Sequence, residues 1–437
     1  NQMHTVLAGR ASVSLSRIRR DHPEILAAAK PILVAAPGTL AALTEPGVLA
    51  DVAILDACAH IPAIELLSII GRVQQVVVIA HCATVTSESV KQLIDTLPHI
   101  EVDAAPSRRA PRLSAFLESE GYGPVRYDVA TEPAAGEVRF HRVEASGVPV
   151  MSSGLVESSQ PEIDEVVRLI TQRAAGFAVV PSSYRLVVVM LTDAFRTRLG
   201  AELKSLAGKS KAMGRFLRHV RLVSLRDVAG GRATDVILSM CYAKTTHGRL
   251  LQQFGPLEST GGRGLLLDAL ALADHSLDIV SAFGSEDLDE ERLHQSGPRF
   301  LKTMLTWAEQ LDDRPVLPLR DAAGGNVLFD DIADRLRARG LNAAVDYGFD
   351  KGVKIPLVVG LKDKPFALAV QTDDANFMSV QSTRRRHRLS AQDLISLGWN
   401  VMTVWSVAAF VNPDKEVDRI VSRSEERRVG KECRSRW

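Results

Sequence analysis

Short apolar runs alternate with amphipathic stretches along most of the chain, a pattern that predicts an α/β protein. Residues 31–37, PILVAAP, read as a buried strand followed by a helix-like LAALTEPGVLA. In residues 49–81, VAILD and VVVIA are β-branched runs of the kind buried on both faces of a parallel sheet. Between them IPAIELLSII has apolar residues at helical spacing and a proline near its first turn. SRRAPRLSAFLESEGYG predicts a helix ended by Gly121, and EVRFHRVEASGVPV alternates like an edge strand. Residues 159–175 place Ile163, Val166, Val167 and Ile170 on one face of a helix. FAVVP and LVVVML read as buried strands, or as a strand and its extension, before a helix capped by Asp193. Beyond Trp307 the order becomes helix (VLFDDIADRLRARGL), three strands (VDYGF, KIPLVVGL, FALAVQTD), then helix and strand (HRLSAQDLISLGWNVMTVWS).

A chain of 437 residues has room for two or three domains with sizeable cores. The net charge of +1 gives no global basic field, so any nucleic-acid site has to be local. Cys58, Cys82, Cys241 and Cys433 show no C-x-x-C spacing, which fits a reducing compartment and offers no structural zinc site. No apolar run reaches the roughly 18 residues of a membrane span, so no membrane partner is expected and the cytoplasm is the default location.

Residues 14–30 predict a basic helix with Ser16 or Asp21 as cap and Arg17, Arg19 and Arg20 on a solvated face. Since the sequence opens at Asn1, an N-terminal remainder of the same chain is an expected partner. The tail RSEERRVGKECRSRW changes register abruptly after DRIVS. It resembles the translation of a sequencing adapter; the plainer alternative is a solvated basic tail. On either reading residues 423–437, including Cys433 and Trp437, carry no functional argument.

Asp56 ends an apolar strand, where P-loop NTPases keep a carboxylate that helps hold Mg²⁺. With Asp51 before it and Ile61–Pro62 after it, the stretch resembles the second motif of superfamily 1 (DNA2/NAM7-like) helicases, D-V-V-I-D-E-A-S-Q-I-P. The family's catalytic Glu is Ala57 here, its Ser is Ala59 and its Gln is His60. In the third motif the Gly and Asp positions hold Ala80 and His81, and His81 alone reads as a strand-end polar residue. Asp235, Val236, Ile237, Ser239, Tyr242, Gly248 and the FGPL of 254–257 resemble the fifth motif and the strand after it. The Gln and Glu of that motif fall on Gly230 and Ala233. LLLDALALADHSLDIVS resembles the sixth motif, with Leu272 where the family's phosphate-reaching Arg would stand and Asp274 two places on. Leu cannot stabilise charge developing on a transferring phosphoryl group. No G-x-x-x-x-G-K-[ST] occurs in the sequence.

LGWNVMTVWS, the DKEVDRI helix and TDDANF resemble the small Vsr-like nuclease domain fused to the ends of large superfamily 1 helicases. Such a nuclease needs carboxylates converging on Mg²⁺. The resemblance matches its first acid to Asp330 or Asp331, its R-I-D-L aspartate to Pro356, and its E-x-D-G to Gln371, Thr372, Asp373 and Asp374. Asp373 and Asp374 read either as weak ion ligands or as a capped turn. Arg384, Arg385, Arg386, His387 and Arg388 are the densest basic stretch outside the tail, and phosphate contacts need no catalytic group. They are expected either to bind DNA or to be a solvated helix start. Arg108, Arg109 and Arg112 form a second basic cluster, either phosphate-binding or merely exposed, and Trp399 and Trp405 read as core residues.

The resemblance implies two RecA-like P-loop-type parallel-sheet domains, the first incomplete, followed by a small restriction-endonuclease-like α/β domain. The expected boundaries are 1–150, 151–311, a linker at 312–325 rich in Pro and Gly, 326–422, and the tail 423–437. The function expected is that of a nucleic-acid-binding protein of DNA repair or defence, related to helicases and nucleases and inactive in both sites. Asp56, Asp331 and Asp373 would be vestiges, Arg384, Arg385, Arg386 and Arg388 would contact DNA, and no metal site is expected. The alternatives are an ATP-dependent DNA helicase whose nucleotide loop lies upstream, and a Mg²⁺-dependent endonuclease using Asp330, Asp331 and Asp373. ATP and Mg²⁺ would be cofactors only on those alternatives.

Overall fold

A computed structural model describes residues 18, 20–29, 31–44, 46–102, 104–123, 125–131, 136–151, 153–157, 159–228, 230–311 and 326–434, the side chains of 26, 29, 43 and 425–434 excepted. The expected cap Ser16, the linker 312–325 and Trp437 lie outside the described residues. The chain divides into two compact units, Asn1–Ile100 with Ala229–Gly231, and Glu101–Val228 with Arg232–Trp437.

In the first unit, helices α1 (Pro23–Ala29) and α2 (Pro37–Leu43) precede β1 (Ala50–Leu55), α3 (Ala63–Ile70), β2 (Val73–Val78) and α4 (Glu88–Thr96). β1 and β2 pair in parallel from Ala50↔Val73 to Leu55↔Val78, with α3 as the crossover. Leu66 and Ile69 of α3 close a core with Leu55, Cys58, Val85 and Val90. The expected burial on both faces is not found: Val52 is 44%, Ile54 65% and Val77 47% exposed. One crossover helix covers one face, and among the described residues of the unit no second helix layer covers these three. Residues 31–36 are not a strand either, and Ile32 and Val34 are 79% and 93% exposed. An apolar run without a partner to hydrogen-bond does not become a strand.

The second unit opens with α5 (Pro111–Ser119), then β3 (Val138–Arg142), the short β4 (Ser146–Gly147), α6 (Gln160–Ala175) and β5 (Leu186–Met190). It continues through α7 (Asp193–Lys209), α8 (Lys211–Phe216), β6 (Val220–Ser224), β7 (Ala233–Ser239), the short β8 (Lys244–Thr245), α9 (Gly262–Ala271), β9 (Ala273–Ser281) and α10 (Ser296–Glu309). Five strands form a parallel sheet in the order β3-β9-β7-β5-β6, with β3 at an edge as its alternation predicts. Gly121, at φ +72°, follows α5 as expected. Ile163, Val166 and Ile170 of α6 are fully buried. Residues 177–181 are not strand, and Val179 is 84% exposed. The cap of α7 is Thr192, whose side chain accepts from the Phe195 N–H; Asp193 is the first helical residue. Two carboxylates inside this sheet, Asp235 on β7 and Asp278 on β9, share the Arg173 guanidinium at the end of α6. Pairing of this kind is what allows charges to remain buried.

The unit ends in α11 (Val327–Ala338), β10 (Leu341–Tyr347), β11 (Ile355–Leu361), β12 (Leu368–Gln371), α12 (Ala375–Ser379), a π turn over Arg385–Leu389, α13 (Ser390–Ser396), β13 (Asn400–Thr403), α14 (Ser406–Val411) and α15 (Pro413–Arg434). The expected order of helix, three strands, helix and strand is present, though β10 begins at Leu341 rather than at VDYGF. The sheet β10-β11-β12-β13 is antiparallel except for its last pair. Alternation assigns its two faces. Val345, Leu357, Val359 and Val370 meet Phe329, Ile332 and Leu336 of α11 and Val417 and Ile420 of α15. On the opposite face Ala344, Val358, Ala369 and Trp399 are covered by Tyr127 and Val129, from a strap some 200 residues earlier in the chain. The strap is stitched on by Trp399 Nε1, which donates to Val129 O at 2.6 Å, and by Thr131 N, which donates to Leu397 O at 3.2 Å.

Candidate nucleic-acid interface

The site is assembled at the end of β12. Asp373 leaves the strand with both carboxylate oxygens directed at α14: Ser406 N–H donates to Oδ1 at 2.7 Å and Ser406 Oγ to Oδ2 at 2.9 Å. Thr372 Oγ1 also donates to it, at 3.1 Å. Burial pushes this carboxyl up, but the hydrogen bonds from Ser406 and Thr372 outweigh it and hold the group below the usual aspartate value. Asp374 caps α12, accepting from Phe377 N–H at 2.7 Å. Asp374 is therefore a helix cap, while Asp373 accepts from Ser406, the first residue of a helix distant in sequence.

These hydrogen bonds fix the residues beside them. Phe377 is on α12, and Trp405 immediately precedes Ser406. Their rings meet edge to face, 5.7 Å apart at 78°. His387, from the π turn, stands 5.2 Å from Phe377 and 6.2 Å from Trp405. The Arg386 guanidinium lies over the Phe377 ring, 5.3 Å from its centroid, and its Nε has no hydrogen-bond partner among the described residues. Trp399 is buried as expected, at 3% exposed, but Trp405 is not a core residue: it is 42% exposed. Val404 takes the inward position at the end of β13, which turns the next side chain out.

The arginines expected to contact DNA lie around this cluster. Arg384 and Arg388 are exposed and have no ion-pair partner among the described residues, and Arg385 and Arg386 are half-buried. Arg108, Arg109 and Arg112 serve differently. Arg109 donates to Ala271 O and Ala273 O, Arg112 to Leu311 O, and Arg108 to Ser396 O, so all three brace carbonyls of this unit.

Asp331 pairs with Arg335 at 2.8 Å, and Arg335 reaches on to Asp414. The acid that sequence reasoning missed is Asp346. Ladder pairs Val345↔Leu357 and Tyr347↔Ile355 flank it, and Pro356 stands between the partners on β11. Proline has no N–H to give to a central strand, and here Asp346 adopts φ +48°. Burial, then the charges of Asp374 and Asp330, push the Asp346 carboxyl up against the pull of Lys354. The one signal in the sequence was an aspartate before Tyr-Gly, a residue type that tolerates positive φ. Among the described residues no three His, Cys, Asp or Glu side chains are grouped so as to hold a metal ion.

Three further positions tied to the helicase resemblance have definite surroundings. Asp56 is exposed after β1 and its Oδ1 accepts from Ala57 N–H at 2.9 Å. Leu272 is buried at the end of α9, where its carbonyl accepts from Ala233 N–H at 2.9 Å, and Asp274 pairs with Arg232. Among the described residues no helix is long and apolar enough to cross a membrane. No curated protein matches the chain. Residues 329–423, the stretch that carries Asp373 and the aromatic cluster, match the REase_MTES_1575 family model, and this C-terminal domain is restriction-endonuclease-like.

Proposed function

We propose that this chain is a nuclease-related DNA-binding protein in which two RecA-like domains upstream of residue 312 carry a restriction-endonuclease-like domain at 326–422, and in which neither site is catalytic. The DNA contacts are assigned to Arg384, Arg385, Arg386 and Arg388. The observation that carries this reading is the engagement of Asp373 by Ser406 and the use of Asp374 as a helix cap, beside a basic turn. A carboxylate already accepting three hydrogen bonds has little left to offer a cation, and Pro356 and Gln371 supply no acid at two of the other matched positions. Ala57 and Leu272 support the same conclusion for nucleotide hydrolysis, and repair or defence is the setting we infer.

Reversing charge at the two exposed arginines tests the binding. Arg384→Glu combined with Arg388→Glu is expected to weaken duplex DNA binding and to flatten its log–log salt dependence by about 2, at ~0.9 per phosphate contact. Unchanged affinity and slope, by fluorescence anisotropy over a salt series, would remove these arginines from the interface. The coupling of Asp346 to Asp374 and Asp330 is the observation that favours a Mg²⁺-dependent endonuclease instead. Mg²⁺-dependent cleavage abolished by Asp346→Asn would establish it.

A further inference from the structure

We infer that the cluster of Phe377, His387, Trp405 and Arg386 is a stacking site for an unpaired nucleobase, so that this domain prefers single-stranded over duplex DNA. The inference rests on the DNA-binding reading above and adds the form of the substrate.

Three observations combine in it. The first is exposure. Trp405 leaves 42% of its surface open, whereas Trp307 and Trp399 of the same unit are each 3% exposed. An aromatic serving only the core would be turned in like those two. The second is construction. Asp373 holds the backbone and hydroxyl of Ser406, directly after Trp405, and Asp374 holds the backbone of Phe377 itself. Two short helices, five and six residues long, are thereby fixed with their rings edge to face. Side chains anchored this way lose little further entropy when a planar ligand settles on them. The third is charge. Arg386 is stacked on Phe377 and its Nε has no partner among the described residues, while Arg388 in the same π turn and Arg384 just before it are exposed. A planar π ligand carrying a phosphate answers all three. An aromatic platform bordered by guanidinium groups is also the general recipe for sequence-tolerant binding of single strands.

The form of the DNA follows from access. In a duplex both faces of each base are covered by its neighbours, so exposing a face requires unstacking. A single strand offers its faces without that cost. Asp374 and Asp330, whose charges both act on Asp346, make an acidic side that disfavours phosphate. The backbone is therefore expected to follow the arginines and the base to reach Trp405.

The test uses the full chain with a fluorescent oligothymidylate and a duplex of equal length, at one fixed ionic strength. Trp405→Ala is expected to weaken single-strand binding about 5- to 100-fold, with duplex binding within about twofold of the parent. Trp405→Tyr, which keeps a ring, should recover most of the loss, and this separates stacking from damage to the fold. Single-strand affinity unchanged in Trp405→Ala, or falling equally for both DNA forms in Trp405→Ala and Trp405→Tyr, overturns the inference. If the parent binds the duplex and loses it on Arg384→Glu with Arg388→Glu, the DNA-binding reading survives that result. If the parent binds neither form, both fall.

Discussion

Glu162, in the first turn of α6, has no exposed surface. Its Oε1 accepts from Ser239 Oγ at 2.7 Å and from Cys241 N–H at 2.8 Å, and its Oε2 has no partner among the described residues. Burial pushes its pKa up to about 7 against the opposing hydrogen bonds, and the same burial, with Glu162 as neighbour, pushes the Cys241 thiol up to about 12. An acid whose folded pKa is raised binds more protons folded than unfolded. Its contribution to stability is complete below its ordinary value of 4.5 and is lost as pH rises toward 7. Glu162→Gln should remove that loss. Relative to the parent, the variant is expected to gain stability between pH 4.5 and 8, on the order of a few kcal/mol, read from urea midpoints at both pH values. A constant difference across pH would show that the carboxyl does not titrate in this range. The helical period of residues 159–175 made Ile163, Val166 and Ile170 legible as one buried face. Nothing in that pattern marked Glu162 as buried, because its partners come from the end of β7, far along the chain. Asp374 was easier to read, since its cap depends on Phe377, close in sequence, whereas Asp373 meets Ser406 only in space.

Elements succeeded where the pattern was local and failed where a partner was required. The edge strand β3 and the helix α5 ending at Gly121 could be read from alternation and a stop signal alone. PILVAAP and FAVVP could not, because an apolar run becomes a strand only when another strand takes its hydrogen bonds. The strap at 125–131 is the reverse case: it shows no period, yet it seals one face of the C-terminal sheet. Tyr127, 5% exposed, packs there with its hydroxyl donating to Glu118 Oε2 at 2.6 Å. Tyr127→Ala should cost about 3 kcal/mol, the usual scale for emptying an aromatic site in a core. The check is a lower urea midpoint with an unchanged slope, and a midpoint identical to the parent's would mean that the strap is dispensable.

Across the whole molecule, the restriction-endonuclease-like domain lacks part of its own cover. Residues 326–422 produced alone would present Ala344, Phe349, Val358, Ala369 and Trp399 to water. Exposed apolar surface of this kind promotes association and binds hydrophobic dyes. The fragment is accordingly expected to bind such a dye and to self-associate, as read by dye fluorescence and sedimentation, where the full chain does neither. A monomeric fragment that ignores the dye would show that the domain closes its sheet unaided. The sequence marked this domain by its order of elements, but its dependence on residues 125–131 was hidden because the two stretches are joined only in space.

That dependence also bears on how such a chain can change over generations. A recombination event exchanging residues 326–422 for a relative's version would bring in a sheet face shaped for a different strap. Tyr127 and Val129 on one side, and Ala344, Phe349 and Trp399 on the other, are therefore expected to tolerate substitution only as a matched group. Grafted elsewhere, the nuclease-like part is therefore expected to need its upstream strap and not to behave as a portable cassette.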